Sequence, residues 1–235
     1  AVFEQDLPFG SYYIKELQAP DGFVSSDEII EVTVSYQGQD VEVVRLKEIF
    51  KNQPTTVEFT KSDLTTGVEL DGATLTVFDK DGNEIDKWTS VKGEPHIIKR
   101  LHVGETYTLR EEFAPYGYLK AEEVEFTITD TAEIQKVEMK DDVLIGRIII
   151  NKKGEFLSEV TWNEMVAGAM DSIWDYVTGS LKDVTFEIYA REDVKAADGE
   201  SDDYYKKDEL VATITTDELG FARSDDLPLG KYYVV

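Results

Sequence analysis

Tyr12-Tyr13-Ile14-Lys15-Glu16-Leu17-Gln18-Ala19-Pro20-Asp21-Gly22-Phe23 recurs as Tyr107-Thr108-Leu109-Arg110-Glu111-Glu112-Phe113-Ala114-Pro115-Tyr116-Gly117-Tyr118. Both stretches read Y-x-x-x-E-x-x-A-P-x-G-[FY]. Their lead-ins match as well: Leu7-Pro8-Phe9-Gly10, Leu101-His102-Val103-Gly104 and, once more, Leu227-Pro228-Leu229-Gly230. A third copy starts at Tyr232, and its Glu would fall one position beyond Val235. Both ends of the chain are therefore expected to cut through repeat units of a tandem array. A repeat of this kind constrains the fold before any local pattern does.

Working outward, the middle unit, residues 54–142, reads as all-β. Val57, Phe59 and Lys61 alternate along one strand face, and Thr74 to Phe78 forms a second strand. Asp81-Gly82 is a hairpin turn signal. Val124-Glu125-Phe126-Thr127-Ile128 parallels Ile30-Glu31-Val32-Thr33-Val34, and Val137-Glu138-Met139 leads into Asp141-Asp142. Short strands with turn chemistry between them predict a β-sandwich. Residues 1–53 read as the C-terminal half of such a unit, and residues 143–235 as the N-terminal part of a further one.

The last unit carries an insertion at about 159–179. Trp162, Met165, Val166, Ala169, Ile173 and Val177 recur at helical spacing, Thr161-Trp162-Asn163-Glu164 reads as a capping box, and Gly179 as a stop. A short helix is predicted there. Its apolar stripe either caps the open end of its own sandwich or binds a partner. Val184 to Tyr189 and Leu210 to Thr215 resume as strands around the acidic loop 196–203.

Composition narrows the function. Against 24 Lys and Arg stand 49 Asp and Glu, a formal charge of −25 spread along the chain. Such a field repels phosphate backbones and anionic membrane surfaces, so nucleic acid is not an expected partner. No apolar run is long enough to span a bilayer, so no membrane insertion is expected in this segment. With no Cys there are neither disulfides nor thiolate metal sites. Asp79-Lys80-Asp81-Gly82-Asn83-Glu84 starts like a calcium loop but has Glu where that loop needs Gly. His96 and His102 lack ligand spacing, and no strand-turn-helix nucleophile motif is present. No metal, cofactor or enzymatic activity is expected.

One constellation carries chemistry. The alternation of Val57 and Phe59 points Lys61 into the core, and that of Val137 and Met139 points Asp141 there. Glu111 lies within the repeated phrase. A buried, unpaired charge is costly. One account is a buried ion pair. The other is covalent: desolvation favours a neutral amine and a protonated carboxyl, the amine attacks the carboxyl carbon, and the second acid moves protons.

The repeated phrase, the inward Lys near a unit's start and an Asn or Asp at its close resemble the Cna protein B-type domains. These are also called SpaA-type pilin-like repeats, of Gram-positive surface proteins. The resemblance implies tandem prealbumin-like (Ig-like) β-sandwiches, each stabilised by a spontaneous Lys–Asn/Asp isopeptide bond with Glu assisting. Carried over, it makes Lys61 the nucleophile, Glu111 the assisting acid and Asp141 the acceptor, with Asp142 an alternative acceptor and Glu112 beside Glu111. It assigns Glu16 and Asn52 to the first unit and Lys152 to the last. The implied role is a stalk or adhesin segment, extracellular and cell-wall-associated, whose partners are neighbouring repeat domains. A domain recognising a host extracellular protein or glycan is one alternative; an accessory region of a large surface enzyme is another. Residues 143–235 and 1–53 hold complementary parts of a site, and their complementation is a further expectation.

Overall fold

The computed structural model describes residues 7–41, 44–164 and 170–235, with no account of side chains at 162–171. No described residue is helical. The chain divides into two compact units, Ala1–Pro115 with Lys120–Asp141, and Tyr116–Leu119 with Asp142–Val235.

The first unit contains β1 (Gly10–Lys15), β2 (Ile29–Val34), β3 (Thr56–Asp63), β4 (Thr74–Phe78), β5 (Glu84–Thr89), β6 (His96–Lys99), β7 (Thr106–Phe113), β8 (Val124–Thr127) and β9 (Gln135–Asp141). One sheet has the order β6-β3-β9 and another the order β5-β4-β7-β8. Strands β3 and β9, far apart in sequence, pair in parallel, with Lys61 opposite Met139 and Asp63 opposite Asp141. Period-two alternation sends Val57 and Phe59, then Val137 and Met139, inward to meet Leu75, Val77, Tyr107 and Leu109 of the other sheet. Two sheets sharing one core make this a β-sandwich. Phe59 sits centrally, its ring 5.3 Å from those of Trp88 and Phe126. The hairpin turn expected at Asp81-Gly82 joins β4 to β5, and in it Asp79 Oδ1 accepts the backbone N–H groups of Asp81 and Asn83.

In the same unit β1 and β2 form a two-stranded antiparallel sheet with Tyr12 opposite Val32. That pairing matches β7 with β8, where Tyr107 lies opposite Phe126.

The second unit holds β10 (Ile145–Gly146), β11 (Ile149–Asn151), β12 (Lys153–Glu164), β13 (Met170–Ser180), β14 (Thr185–Ala190), β15 (Leu210–Thr215), β16 (Phe221–Arg223), β17 (Leu227–Pro228) and β18 (Tyr232–Val234). Its core gathers Ile188, Ile214 and Ala222 with Ile148, Ile150 and Tyr232. The tyrosine of the repeated phrase anchors its own lead-in: Tyr232 Oη donates to the Pro228 carbonyl at 2.7 Å, as Tyr12 Oη does to Pro8.

The described residues of 159–179 are not the predicted helix. Strands β12 and β13 form a long antiparallel hairpin, pairing Thr161 with Ile173 and Glu164 with Met170. Met165, Val166 and Ala169, and the side chain of Trp162, lie outside the described residues. Val160, Thr161, Ile173, Trp174, Tyr176 and Val177 are β-branched or aromatic and favour strands over helices. Gly179, expected to stop a helix, sits across the ladder from Gly154. The Phe156 ring covers it, passing within 2.8 Å of where a Cβ would stand. The helical spacing was real, but a bulge between Leu157 and Glu159 breaks the two-residue alternation that would have announced a strand.

Phe59 is 2% exposed. Phe59→Ala is expected to cost about 3–5 kcal/mol of stability, read as a lower urea midpoint at unchanged m value.

Candidate functional site

The site is built where β3, β7 and β9 converge. Lys61 follows Val57 and Phe59 inward from β3, Asp141 follows Val137 and Met139 from β9, and Glu111 comes from β7 in the facing sheet. All three side chains are fully shielded from solvent. Lys61 Nζ lies 3.0 Å from Glu111 Oε1 and is in direct contact with Asp141 Oδ1.

Each acid has one oxygen held and one spare. Glu111 Oε2 accepts the Ala121 backbone N–H at 2.7 Å, which fixes the carboxylate and leaves Oε1 to face the lysine. That facing is close enough for charge attraction but not aligned as a hydrogen bond, and among the described residues Asp141 Oδ2 is likewise without an aligned hydrogen-bond partner. Burial, opposed by the pull of Lys61 and reinforced by Glu111, pushes the Asp141 carboxyl from 3.8 up to about 6. Lys61, a carboxyl inclined to hold its proton and a second acid thus meet in the buried core.

The sequence left two choices open, and geometry separates them. Asp142 is not in the site; its Oδ1 accepts the Val143 N–H on an exposed loop. Glu112, next along β7, is not among the shielded residues around Lys61.

The other predicted residues divide. Glu16 and Asn52 are together: Asn52 Nδ2 donates to Glu16 Oε2 at 2.6 Å, and Glu16 Oε2 also accepts the Ser26 N–H at 3.0 Å. Asn52 Nδ2 is held from its other side by the Val24 carbonyl. Lys152 is different. Ile148 and Ile150 reach the core as expected, but Lys152 is exposed at the turn between β11 and β12. Its backbone is tied to Gly220 and Leu181, and among the described residues its side chain makes no ion pair. The Ala121 amide that orients Glu111 was not anticipated, because a backbone donor leaves no mark in residue type. No cluster of three or more acids and histidines placed to hold a metal ion occurs among the described residues.

A family model described as the SpaA prealbumin-like fold domain matches residues 1–48, 55–143 and 174–235. Residues 144–173, which include β12, lie outside those matches. No curated protein matches the chain. Among solved structures it is similar to the TIE protein of Bacillus anthracis, with 27% identity, a TM-score of 0.53, and coverage of 97% of this chain and 36% of that one. It is also similar to the shaft pilin SpaA of Lactobacillus rhamnosus GG, with 19% identity, a TM-score of 0.36, and coverage of 57% of this chain and 64% of that one. A third is the major pilin subunit BcpA of Bacillus cereus, with 13% identity, a TM-score of 0.35, and coverage of 77% of this chain and 87% of that one. The chain spans about a third of the TIE protein and less than two thirds of the shaft pilin. With three stretches matched over most of its length and a buried site in a β-sandwich, the chain belongs to the SpaA family of prealbumin-like fold domains.

Proposed function

We propose that the chain is a load-bearing segment of a bacterial cell-surface protein of pilin or adhesin type, stiffened by a covalent Lys61–Asp141 bond. Three repeats follow one another along the sequence, 1–53, 54–142 and 143–235, and the middle one contains the lysine, the glutamate and the acceptor. The role is structural rather than enzymatic, outside the cell and against its wall, with neighbouring repeat units as partners. The observation that carries this reading is Lys61 Nζ shielded from solvent against both Asp141 and Glu111.

The chemistry follows from the arrangement. Glu111 takes a proton from the Lys61 ammonium, and the free amine attacks the carboxyl carbon of protonated Asp141. The carbon–nitrogen bond forms and the carbon–oxygen bond to the leaving hydroxyl breaks. Glu111 passes its proton to that hydroxyl, which departs as water, and takes up the remaining amine proton. The products are a secondary amide, one water and a protonated Glu111, with no redox change. The condensation leaves lysine, aspartate and glutamate all uncharged in a core in which an ion pair is a weak stabiliser. Glu16 and Asn52 are the corresponding acid and acceptor of unit 1–53, where condensation would release ammonia instead.

A bond between β3 and β9 joins the first and last strands of unit 54–142, so tension applied at its ends bypasses the intervening strands. The constraint acts as a disulfide would, in a chain without cysteine. A second reading, recognition of a host extracellular ligand, is favoured by the β12–β13 hairpin. Leu157, Trp174 and Tyr176 are 47%, 53% and 59% exposed there, and pairing of Leu157 with Tyr176 and Val160 with Trp174 gathers them on one face.

The intact chain is expected to weigh one water less than its sequence for the Lys61–Asp141 bond, with a proteolytic peptide joining residues 61 and 141. Lys61→Ala and Glu111→Gln each restore that water. A full sequence mass and no joined peptide would sink the proposal.

An unlinked Asp141 also predicts a pH dependence. With its folded value raised to about 6 from 3.8, folded Asp141 keeps a proton that the unfolded chain has already released. Its contribution to stability is present at low pH and declines as pH rises through about 6. In Lys61→Met the lowering influence of the lysine is gone. The urea midpoint should fall more between pH 4 and pH 7 than in Lys61→Met/Asp141→Asn. Equal profiles would contradict the assignment.

A further inference from the structure

The second half of the repeated phrase does something the crosslink does not need. In the first unit, Gly22-Phe23-Val24 runs against Gln53-Pro54-Thr55, the residues that follow Asn52. The Val24 N–H donates to the Gln53 carbonyl at 2.8 Å, Phe23 bridges Pro54, and the Thr55 N–H donates to the Gly22 carbonyl at 3.1 Å. In the second unit, Gly117-Tyr118-Leu119 runs against Asp142-Val143-Leu144, the residues that follow Asp141. The Leu119 N–H donates to the Asp142 carbonyl at 2.8 Å, Tyr118 bridges Val143, and the Leu144 N–H donates to the Gly117 carbonyl at 2.8 Å. The pattern is the same bond for bond. It also aligns Asn52 with Asp141, independently of their side chains.

The glycines explain why the phrase has no side chain at this position. Gly22 and Gly117 have φ of +79° and +91°, which already favours glycine. Many glycines of this chain share that property, but their α-carbons face open space, as at Gly67, Gly72 and Gly82. Gly22 is different: a Cβ there would stand 2.5 Å from the Arg100 carbonyl oxygen and 2.9 Å from its carbon, both backbone atoms that cannot swing aside. A Cβ on Gly117 would stand 3.2 Å from Ala197 Cβ. Arg100 belongs to the repeat that follows Gly22, and Ala197 to the repeat that follows Gly117. Further contacts surround the first of these. The Arg100 guanidinium lies 4.9 Å from the Phe23 ring centre, the Arg100 N–H donates to the Thr55 carbonyl, and Asp130 Oδ1 accepts the Ser25 N–H at 2.9 Å. Arg100 itself is held at φ +69°, a conformation uncommon for arginine.

We infer that A-P-x-G-[FY] is a clasp between consecutive repeats: its backbone pairs with the linker leaving its own repeat, and its bare glycine seats the next repeat against it. The partner of this surface is a following repeat of the same kind, met at Gly22 by a close backbone approach and by an aromatic ring that accepts a basic side chain, and at Gly117 by the small side chain of Ala197. The phrase thus divides in two. Its Glu faces inward to the acceptor, and its Gly-[FY] faces the residues that come directly after that acceptor. A plain turn would need the glycine's φ but not the close approach.

The absence of cysteine allows site-specific spin labels at Lys15→Cys and Lys87→Cys, both exposed positions, one before and one after the linker. Double electron–electron resonance on the full chain is expected to give one narrow distance distribution. Gly22→Val should abolish the narrow peak, while Gly82→Val, with a similar φ but open space, should retain it. If Gly22→Val does not fold, Phe23→Ala tests the same contact and is also expected to broaden the distribution. The clasp is overturned if the valine variants broaden alike, or if Gly22→Val (Phe23→Ala in its place) leaves the peak narrow. The one-water deficit of the intact mass relative to each variant's own sequence, which reads the proposed Lys61–Asp141 bond, is expected in all of these variants, so the two proposals fail separately.

Discussion

The parallel pairing of β3 with β9 is the contact on which the first unit depends. It brings the start of the middle repeat beside its end, and it aligns two inward-facing rows, Val57-Phe59-Lys61 and Val137-Met139-Asp141. Both rows are apolar until their last member. A cation and an acid, two residues apart in register, are thereby brought into contact in the core, where neither side chain reaches solvent. Glu111 from the facing sheet completes the group, and the Ala121 amide sets its orientation. Burial is what distinguishes the group. On the surface the same residues would be an ordinary ion pair of little consequence.

Much of this was legible in the sequence, for a physical reason. Period-two alternation is a direct record of which way a strand's side chains point, so Lys61 and Asp141 could be placed inward before any coordinates. The repeated phrase then supplied Glu111 and, through its counterpart, Glu16 and Asn52. What the alternation could not give was register. Alternation pointed Asp141 inward, but whether it lands within reach of Lys61 along β3 is a non-local property. The last repeat shows the other limit. Ile148 and Ile150 follow the inward pattern, yet Lys152 falls at the end of a short β11 and turns out to solvent.

The hairpin of β12 and β13 was misread because two periodicities coincided. Residues at 162, 166, 169, 173 and 177 satisfy a helix on spacing alone, and a bulge hides the strand alternation. Residue type was the better guide: the arms are β-branched and aromatic, and helices tolerate these poorly. The clasp went unread for a different reason. Gly and Pro in a short phrase are sufficiently explained by a turn, and a sequence does not say what lies against a glycine's empty side.

Lys61 and Asp141 are 80 positions apart in the chain, and this separation has a kinetic meaning. Contacts between distant segments form against the largest loop-closure entropy and tend to slow folding. The lysine, the glutamate and the aspartate come from three strands, two of them at opposite ends of the repeat, so no partly folded chain holds the three together. Any bond made there is made after the last strand has docked. Once made, it cannot be undone by unfolding. Under the proposed Lys61–Asp141 bond, the site would work as a ratchet on the folding reaction: it would convert a reversible arrival at the native state into a permanent one, and molecules that never arrive would be left unmarked.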